Sequence, residues 1–137
     1  MVFIRNIRLT KYNYQDNGYY FVTIITNYRK PLLAGKEVII NKELEDLTEK
    51  VKGLTVDYFV IMPDHIHIIF VLENCSIQLG EIVRRLKAKV SHELGQPVWQ
   101  PNYYEHVIRN EKALNMIREY IIHNPEKELL KFDKFYN

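Results

Sequence analysis

The sequence predicts an α+β fold: a ferredoxin-like two-layer sandwich of order βαββαβ, with an antiparallel sheet and one additional C-terminal helix. Three observations carry that expectation. Residues 54–62 and 65–72 are apolar, β-branched runs separated by Pro63-Asp64 alone, a spacing that pairs them antiparallel. Helix-period stretches follow the first and third strands, so both crossovers can lie on one face of the sheet. A last amphipathic stretch follows the fourth strand. With the usual strand order of such a fold, four-one-three-two, the third strand is central.

The elements follow in order. Residues 1–18 read as a lead-in of mixed polarity, turn-rich from Lys11 to Gly18. Residues 19–26 (Tyr-Tyr-Phe-Val-Thr-Ile-Ile-Thr) have the β-branched and aromatic content of a strand. Residues 27–35 read as a loop. Asn41 is placed to cap a helix over residues 42–52, with Leu44, Leu47 and Val51 at helical spacing and Gly53 to end it. Residues 54–62 are the second strand, Pro63-Asp64 the turn, and the histidine-bearing run that follows is the third strand. Leu79, Ile82, Val83, Leu86 and Val90 mark an amphipathic helix over residues 77–93. Residues 95–101 form a loop with the single tryptophan, Trp99, and residues 103–109 a short fourth strand. Asn110 caps a last helix from Glu111 to about His123, whose apolar positions are Ala113, Leu114, Ile117 and Ile121. Asn124-Pro125 stops it, because the residue before proline resists helical geometry.

Composition bounds what such a domain does. A chain of 137 residues, 47% apolar and 26% charged, is a single domain (1–137) with room for a real core. A net charge of +2 does not announce a nucleic-acid binder, so such a role needs a local basic patch. The single Cys75 excludes an intramolecular disulfide and fits a reducing compartment. No secretory leader is expected from the first residues, and no apolar run approaches the ~20 residues of a membrane helix. These readings place the chain in the cytoplasm, without a membrane partner.

Chemistry concentrates in Met62-Pro63-Asp64-His65-Ile66-His67. Residues two apart on a strand share a face, so His65 and His67 point the same way, roughly 6.5–7 Å apart. Ile66, Ile68 and Phe70 point the other way, toward the crossover helices. Two imidazoles on a rigid strand can form two legs of a metal site, or they can be polar residues with satisfied hydrogen bonds. On the last helix, Tyr120 and Asn124 lie four apart, on the shoulder of the Ile117–Ile121 stripe at the edge of the contact with the sheet. They offer a nucleophilic hydroxyl and an oxygen ligand, or an edge-of-core tyrosine and a helix stop. Two basic clusters stand out: Arg84, Arg85, Lys87 and Lys89 on one helix, and Arg5, Arg8 and Lys11, interleaved with Tyr12 and Tyr14, near the start. Each is a solvated surface or a phosphate-facing patch.

Several of these motifs, in order, resemble the single-tyrosine HUH transposases, whose branches include insertion-sequence enzymes and REP-associated tyrosine transposases. The resembling stretches are Gly18-Tyr-Tyr-Phe-Val-Thr-Ile24, the Asp64-His-Ile-His67 strand, Val98 to Arg109, and Ile117-Arg-Glu-Tyr120-Ile-Ile-His-Asn124-Pro125. The resemblance implies that His65 and His67 hold a divalent metal, Mg²⁺ or Mn²⁺, and that Tyr120 is the catalytic nucleophile. Asn124 stands where the insertion-sequence branch has a glutamine, and would be the third ligand with a shorter reach. Mixed nitrogen and oxygen ligands favour Mn²⁺ on softness. The implied activity is cleavage and strand transfer of single-stranded DNA near a hairpin, through a 5′-phosphotyrosine, in a nucleoid-associated protein. A tyrosine with a reference pKa near ~10 needs activation; Glu105, His106 and His123 are the candidate groups. Assembly stays open: insertion-sequence members are homodimers sharing active sites, whereas REP-associated members can be monomers.

Three other functions compete. A domesticated, non-mobile DNA-hairpin-binding protein of the same fold would carry the same residues. An RNA-recognition module would place aromatics where the third strand has His65, His67 and Ile69. A metal-sensing domain would use the histidines and leave Tyr120 to packing.

Overall fold

The computed structural model describes residues 17–123. They form β1 (Gly18–Ile25), a 3-10 turn (Asn27–Arg29), α1 (Glu37–Lys50), β2 (Leu54–Met62), β3 (His65–Leu72), α2 (Leu79–Leu94), β4 (Tyr104–Ile108) and α3 (Glu111–His123). The sheet order is β2-β3-β1-β4 and every pairing is antiparallel. This is the α+β sandwich expected from the sequence, with the histidine strand in the interior and α3 as the additional helix.

β1 and β3 are buried along their whole length. The reason is that helices cover both sheet faces, which removes the usual apolar–polar alternation. On one face Val22, Ile24, Ile66, Ile68 and Phe70 pack against Ile40, Leu44 and Leu47 of α1 and Ile82, Leu86 and Val90 of α2. On the other, Phe21, Ile69 and Val71 pack against Leu114, Ile117, Tyr120 and Ile121 of α3. Ile66, Ile68 and Phe70 therefore lie on the crossover-helix face, as the alternation along β3 requires.

Two local expectations are corrected. Asn41 does not cap α1: the helix begins five residues earlier than expected, at Glu37, with Lys36 at the N-cap. Ile40 is fully buried, so the packing stripe is Ile40–Leu44–Leu47 and extends the helix back past the polar Asn41. Gly53 does not terminate it either; Val51 is the C-cap. Gly53 has φ +88°, and a Cβ there would meet the Glu73 carbonyl oxygen at 2.6 Å, so it serves the close crossing of the β2 entry and the loop after β3. By contrast, Asn110 caps α3 through Oδ1, which accepts from the Ala113 amide at 2.8 Å.

The β2–β3 turn has an external support. Two-residue hairpins favour turns with positive φ, yet proline fixes φ near about −65° and Asp64 is not among the positive-φ residues. The segment after β1 grips this turn instead: the Thr26 amide donates to the Asp64 carbonyl at 3.0 Å and the Leu33 amide to the Pro63 carbonyl at 2.9 Å.

Candidate metal and nucleophile site

The site forms between β3 and α3. The pairing of β1 with β3 sets His67 opposite Thr23 and His65 opposite Ile25. Both imidazoles point to the face that α3 covers, and their ring centroids are 4.7 Å apart at 71°. Tyr120 brings its ring 5.7 Å from His67 and 6.2 Å from Phe21. The tyrosine is not at the edge of the helix–sheet contact; it is 7% exposed and belongs to the core of that face. It follows Ile117 by three residues and so joins the same stripe.

Each histidine has its Nδ1 engaged. His65 Nδ1 lies 2.8 Å from Asp64 Oδ1, and His67 Nδ1 lies 2.9 Å from the Thr23 hydroxyl. Asp64 Oδ2 in turn accepts from Arg29 through Nη2 at 2.9 Å and Nε at 3.3 Å. Burial would raise the Asp64 carboxyl, but hydrogen bonds from His65 and Arg29 hold it below its ordinary value. Burial lowers His65, with Asp64 opposing that effect. Burial, and then the neighbouring His65, bring His67 down to about 3. Both imidazoles are therefore neutral at physiological pH, the form that ligates a metal.

The donor set fits a metal in part. With Nδ1 engaged, the nitrogen that each ring could offer to a metal is Nε2. His65 Nε2 is buried and has no hydrogen-bond partner, an arrangement that costs free energy unless the lone pair serves a ligand. Among the described residues, no group of three or more His, Cys, Asp and Glu side chains could hold a metal. A further ligand is thus of another type or lies elsewhere in the chain. Asn124, the expected oxygen ligand, lies outside the described residues.

α3 is fastened to the sheet close to Tyr120. Arg118 donates from Nη2 to Asp57 Oδ1 at 2.7 Å and from Nε to Oδ2 at 2.8 Å. The β2–β3 register shifts between Val56 and Tyr58, so Asp57 is the extra residue of a β-bulge. The bulge brings both the Asp57 carboxylate and the Tyr58 ring to Arg118, whose guanidinium carbon is 5.5 Å from the ring centroid.

Other expected residues fall elsewhere. α2 lies on the face opposite the histidines, and so do Arg84, Arg85, Lys87 and Lys89. Arg84 and Arg85 are tied to Glu81, and Lys87 holds the loop carbonyls of Gln100 and Asn102 at 3.0 and 2.9 Å. Arg5, Arg8 and Lys11 lie outside the described residues. Of the candidate tyrosine activators, His106 pairs with Phe21 and shares the histidine face. Glu105 accepts from the Tyr103 hydroxyl at 3.1 Å, and His123 is an exposed residue at the end of α3. Sequence reasoning missed Thr23, Arg29, Asp57 and Arg118, and read Asp64 as a turn residue alone. A threonine inside an apolar strand and an aspartate adjoining the histidine pair were the available signals.

The sheet's interior strand turns two neighbouring histidines toward a tyrosine on the last helix, the arrangement that the resemblance to single-tyrosine HUH transposases implies. Residues 14–124 match the family described as Transposase IS200 like. The chain belongs to that family. It is 38% identical to an uncharacterised protein of Haemophilus influenzae over 88% of this chain and 87% of that one. It is 25% identical to a REP-associated tyrosine transposase of Escherichia coli, over 85% of this chain and 71% of that one. Among solved structures, a REP-associated tyrosine transposase bound to a REP hairpin superposes with a TM-score of 0.72 at 27% identity, covering 82% of this chain and 68% of that one. No helix of the described residues is long and apolar enough to cross a membrane.

Proposed function

We propose that this protein cuts and rejoins single-stranded DNA beside a hairpin, with Tyr120 as nucleophile and a divalent metal held by His65 and His67. The observation that carries the reading is the cluster itself: two neutral, buried imidazoles 4.7 Å apart, with the Tyr120 ring 5.7 Å from the second. Family membership supports a transposase role, and the hairpin-bound relative supports that class of substrate. A chain that encodes only a packed interface would fill this volume with apolar residues, as it does on the opposite face.

A phosphodiester is anionic and repels nucleophiles. The metal, Mn²⁺ or Mg²⁺, would be held through the Nε2 atoms of His65 and His67 with Asn124 as an oxygen ligand, and would supply charge neutralisation and orientation of the phosphate. Tyr120 attacks phosphorus through its phenolic oxygen as the bond to the 3′ oxygen breaks. The tyrosyl proton leaves to a base or water, and the 3′ oxygen takes up a proton to become a free hydroxyl. The 5′-phosphotyrosine retains the bond energy, so a second 3′-hydroxyl can attack it, release the tyrosine and complete the transfer without ATP.

Covalent capture tests this. The protein is mixed with Mn²⁺ and labelled single-stranded hairpins from the flanks of its own gene, and resolved on a denaturing gel. The expected result is an adduct that disappears with Tyr120→Phe and with EDTA. Adduct formation that survives Tyr120→Phe reassigns the nucleophile. Tight hairpin binding without adduct makes the protein a domesticated hairpin binder.

A further inference from the structure

We infer that Arg29 and Asp64 are positioning residues for the metal site, acting as a relay that fixes the proton of His65 on Nδ1 and aims its Nε2 lone pair at the metal. This rests on the reading of His65 as a ligand.

The relay starts in a strained turn. Tyr28 and Arg29 are consecutive non-glycine residues with φ of 52° and 56°, in the left-handed region that L-residues rarely occupy. Such strain persists only where its surroundings hold it, and it gathers at functional sites. Here the Thr26 carbonyl accepts from the Arg29 amide at 3.0 Å, and the Thr26 hydroxyl donates to the Lys30 carbonyl at 2.7 Å. The outcome is an Arg29 guanidinium aimed at Asp64 Oδ2, at 2.9 Å. That leaves Oδ1 for His65 Nδ1 at 2.8 Å.

The chemistry of this chain is directional. A guanidinium only donates, so it settles on the carboxylate. An ionised carboxylate only accepts, so His65 must donate from Nδ1 and keep its lone pair on Nε2. That Nε2 is the buried atom without a partner. His67 differs, because its Nδ1 faces the Thr23 hydroxyl, which can donate or accept. One ligand therefore has its tautomer imposed by a charged group, whereas the other faces a neutral hydroxyl.

The same directionality makes Asp64→Asn a sharp test. Facing Arg29, the Asn amide would turn its carbonyl to the guanidinium and its NH₂ to His65. His65 Nδ1 would then have to accept, moving its proton to Nε2 and blocking the metal. Arg29→Gly is the companion variant, because glycine adopts positive φ without strain while removing the guanidinium.

The tests are long-range ¹H–¹⁵N NMR of the histidine side chains at pH 8 without metal, calorimetric titration with Mn²⁺ alone, and thermal melting. The expected tautomer of His65 is Nδ1–H in the unaltered protein and Nε2–H in Asp64→Asn, with His67 unchanged. Mn²⁺ affinity should fall roughly 100-fold in Asp64→Asn and roughly 10-fold in Arg29→Gly, within the range for groups that orient metal ligands. Arg29→Gly should melt at the same temperature or higher, which separates positioning from a structural role. Variants that bind Mn²⁺ as tightly as the unaltered protein, or a His65 already in the Nε2–H form, overturn the relay. An unaltered protein that takes up no Mn²⁺ overturns the metal reading on which it rests.

Discussion

The two faces of the sheet are built on different principles. On the face of α1 and α2, side chains such as Ile66, Ile68 and Phe70 are fully buried among apolar neighbours. On the face of α3, the same central strands bury His65, His67 and Thr23. Among the described residues a single helix closes that face, with a bidentate Arg118–Asp57 pair beside the tyrosine. The first face gains free energy from the removal of apolar surface. The second bears the cost of desolvating imidazoles and retains a buried ring nitrogen on His65 without a partner. Adjacent residues of one strand thus differ in kind: the even positions of β3 are apolar and join the first core, and the odd positions near its start are two buried imidazoles. For the proposed metal site, packing of the opposite face would supply the preorganisation that ligands need.

The largest expected effect separates these roles directly. His67→Leu should reduce formation of the covalent DNA adduct by at least roughly 10³-fold, since the several kcal/mol of charge stabilisation that the proposed metal would supply is lost. Its urea midpoint should hold or rise, because an apolar side chain replaces a buried polar one. Phe70→Ala, three residues along the same strand and on the other face, should do the reverse. It should cost about 3–5 kcal/mol of stability and leave the adduct rate of the folded fraction within about twofold of the unaltered protein. Equal losses of stability in the two variants would erase the distinction between the faces.

Acid sharpens the comparison next. His67 has its folded-state pKa lowered from 6.5 to about 3, so the unfolded chain binds its proton more readily than the folded one. Stability is present above pH 6.5 and is lost as pH falls from there toward 3. Between pH 7 and pH 5 the loss from this group should be ~2 kcal/mol, and His65, also lowered, acts in the same direction. Urea titrations in EDTA at the two pH values measure it. The slope should diminish in His67→Leu and persist in Phe70→Ala.

How much of this was legible depends on the range of the interaction. The strands, the hairpin and the existence of α2 and α3 follow from local pattern and from the Pro63-Asp64 spacing, and the strand order from the usual order of the fold class. The period of two set His65 and His67 on one face opposite Ile66 and Ile68, and their convergence on Tyr120 was expected from family resemblance. What was not legible was contact between distant segments. Arg29 reaches Asp64 across 35 positions, and Arg118 reaches Asp57 across 61. Both depend on backbone irregularities, a left-handed turn and a β-bulge, that have no clear sequence signature. The start of α1 was misplaced because Asn41 is a good cap in isolation, while burial of Ile40, a tertiary effect, decided the boundary.

The smallest expected effect concerns the outer basic residues of α2. Arg84 and Arg85 both bind Glu81, and their helix lies behind the sheet from the histidines. A side chain that contacts a phosphate releases condensed counterions when it binds. Removing one such contact should flatten the dependence of log affinity on log salt by about 0.7 to 0.9. If the DNA lies along the α3 face, Arg84→Ala and Arg85→Ala should leave both hairpin affinity and that slope unchanged. Fluorescence anisotropy of a labelled hairpin at several salt concentrations would measure both. A slope lower by nearly one unit per variant would mean that the DNA wraps around the sheet edge onto the helical layer, joining the two faces into one binding surface.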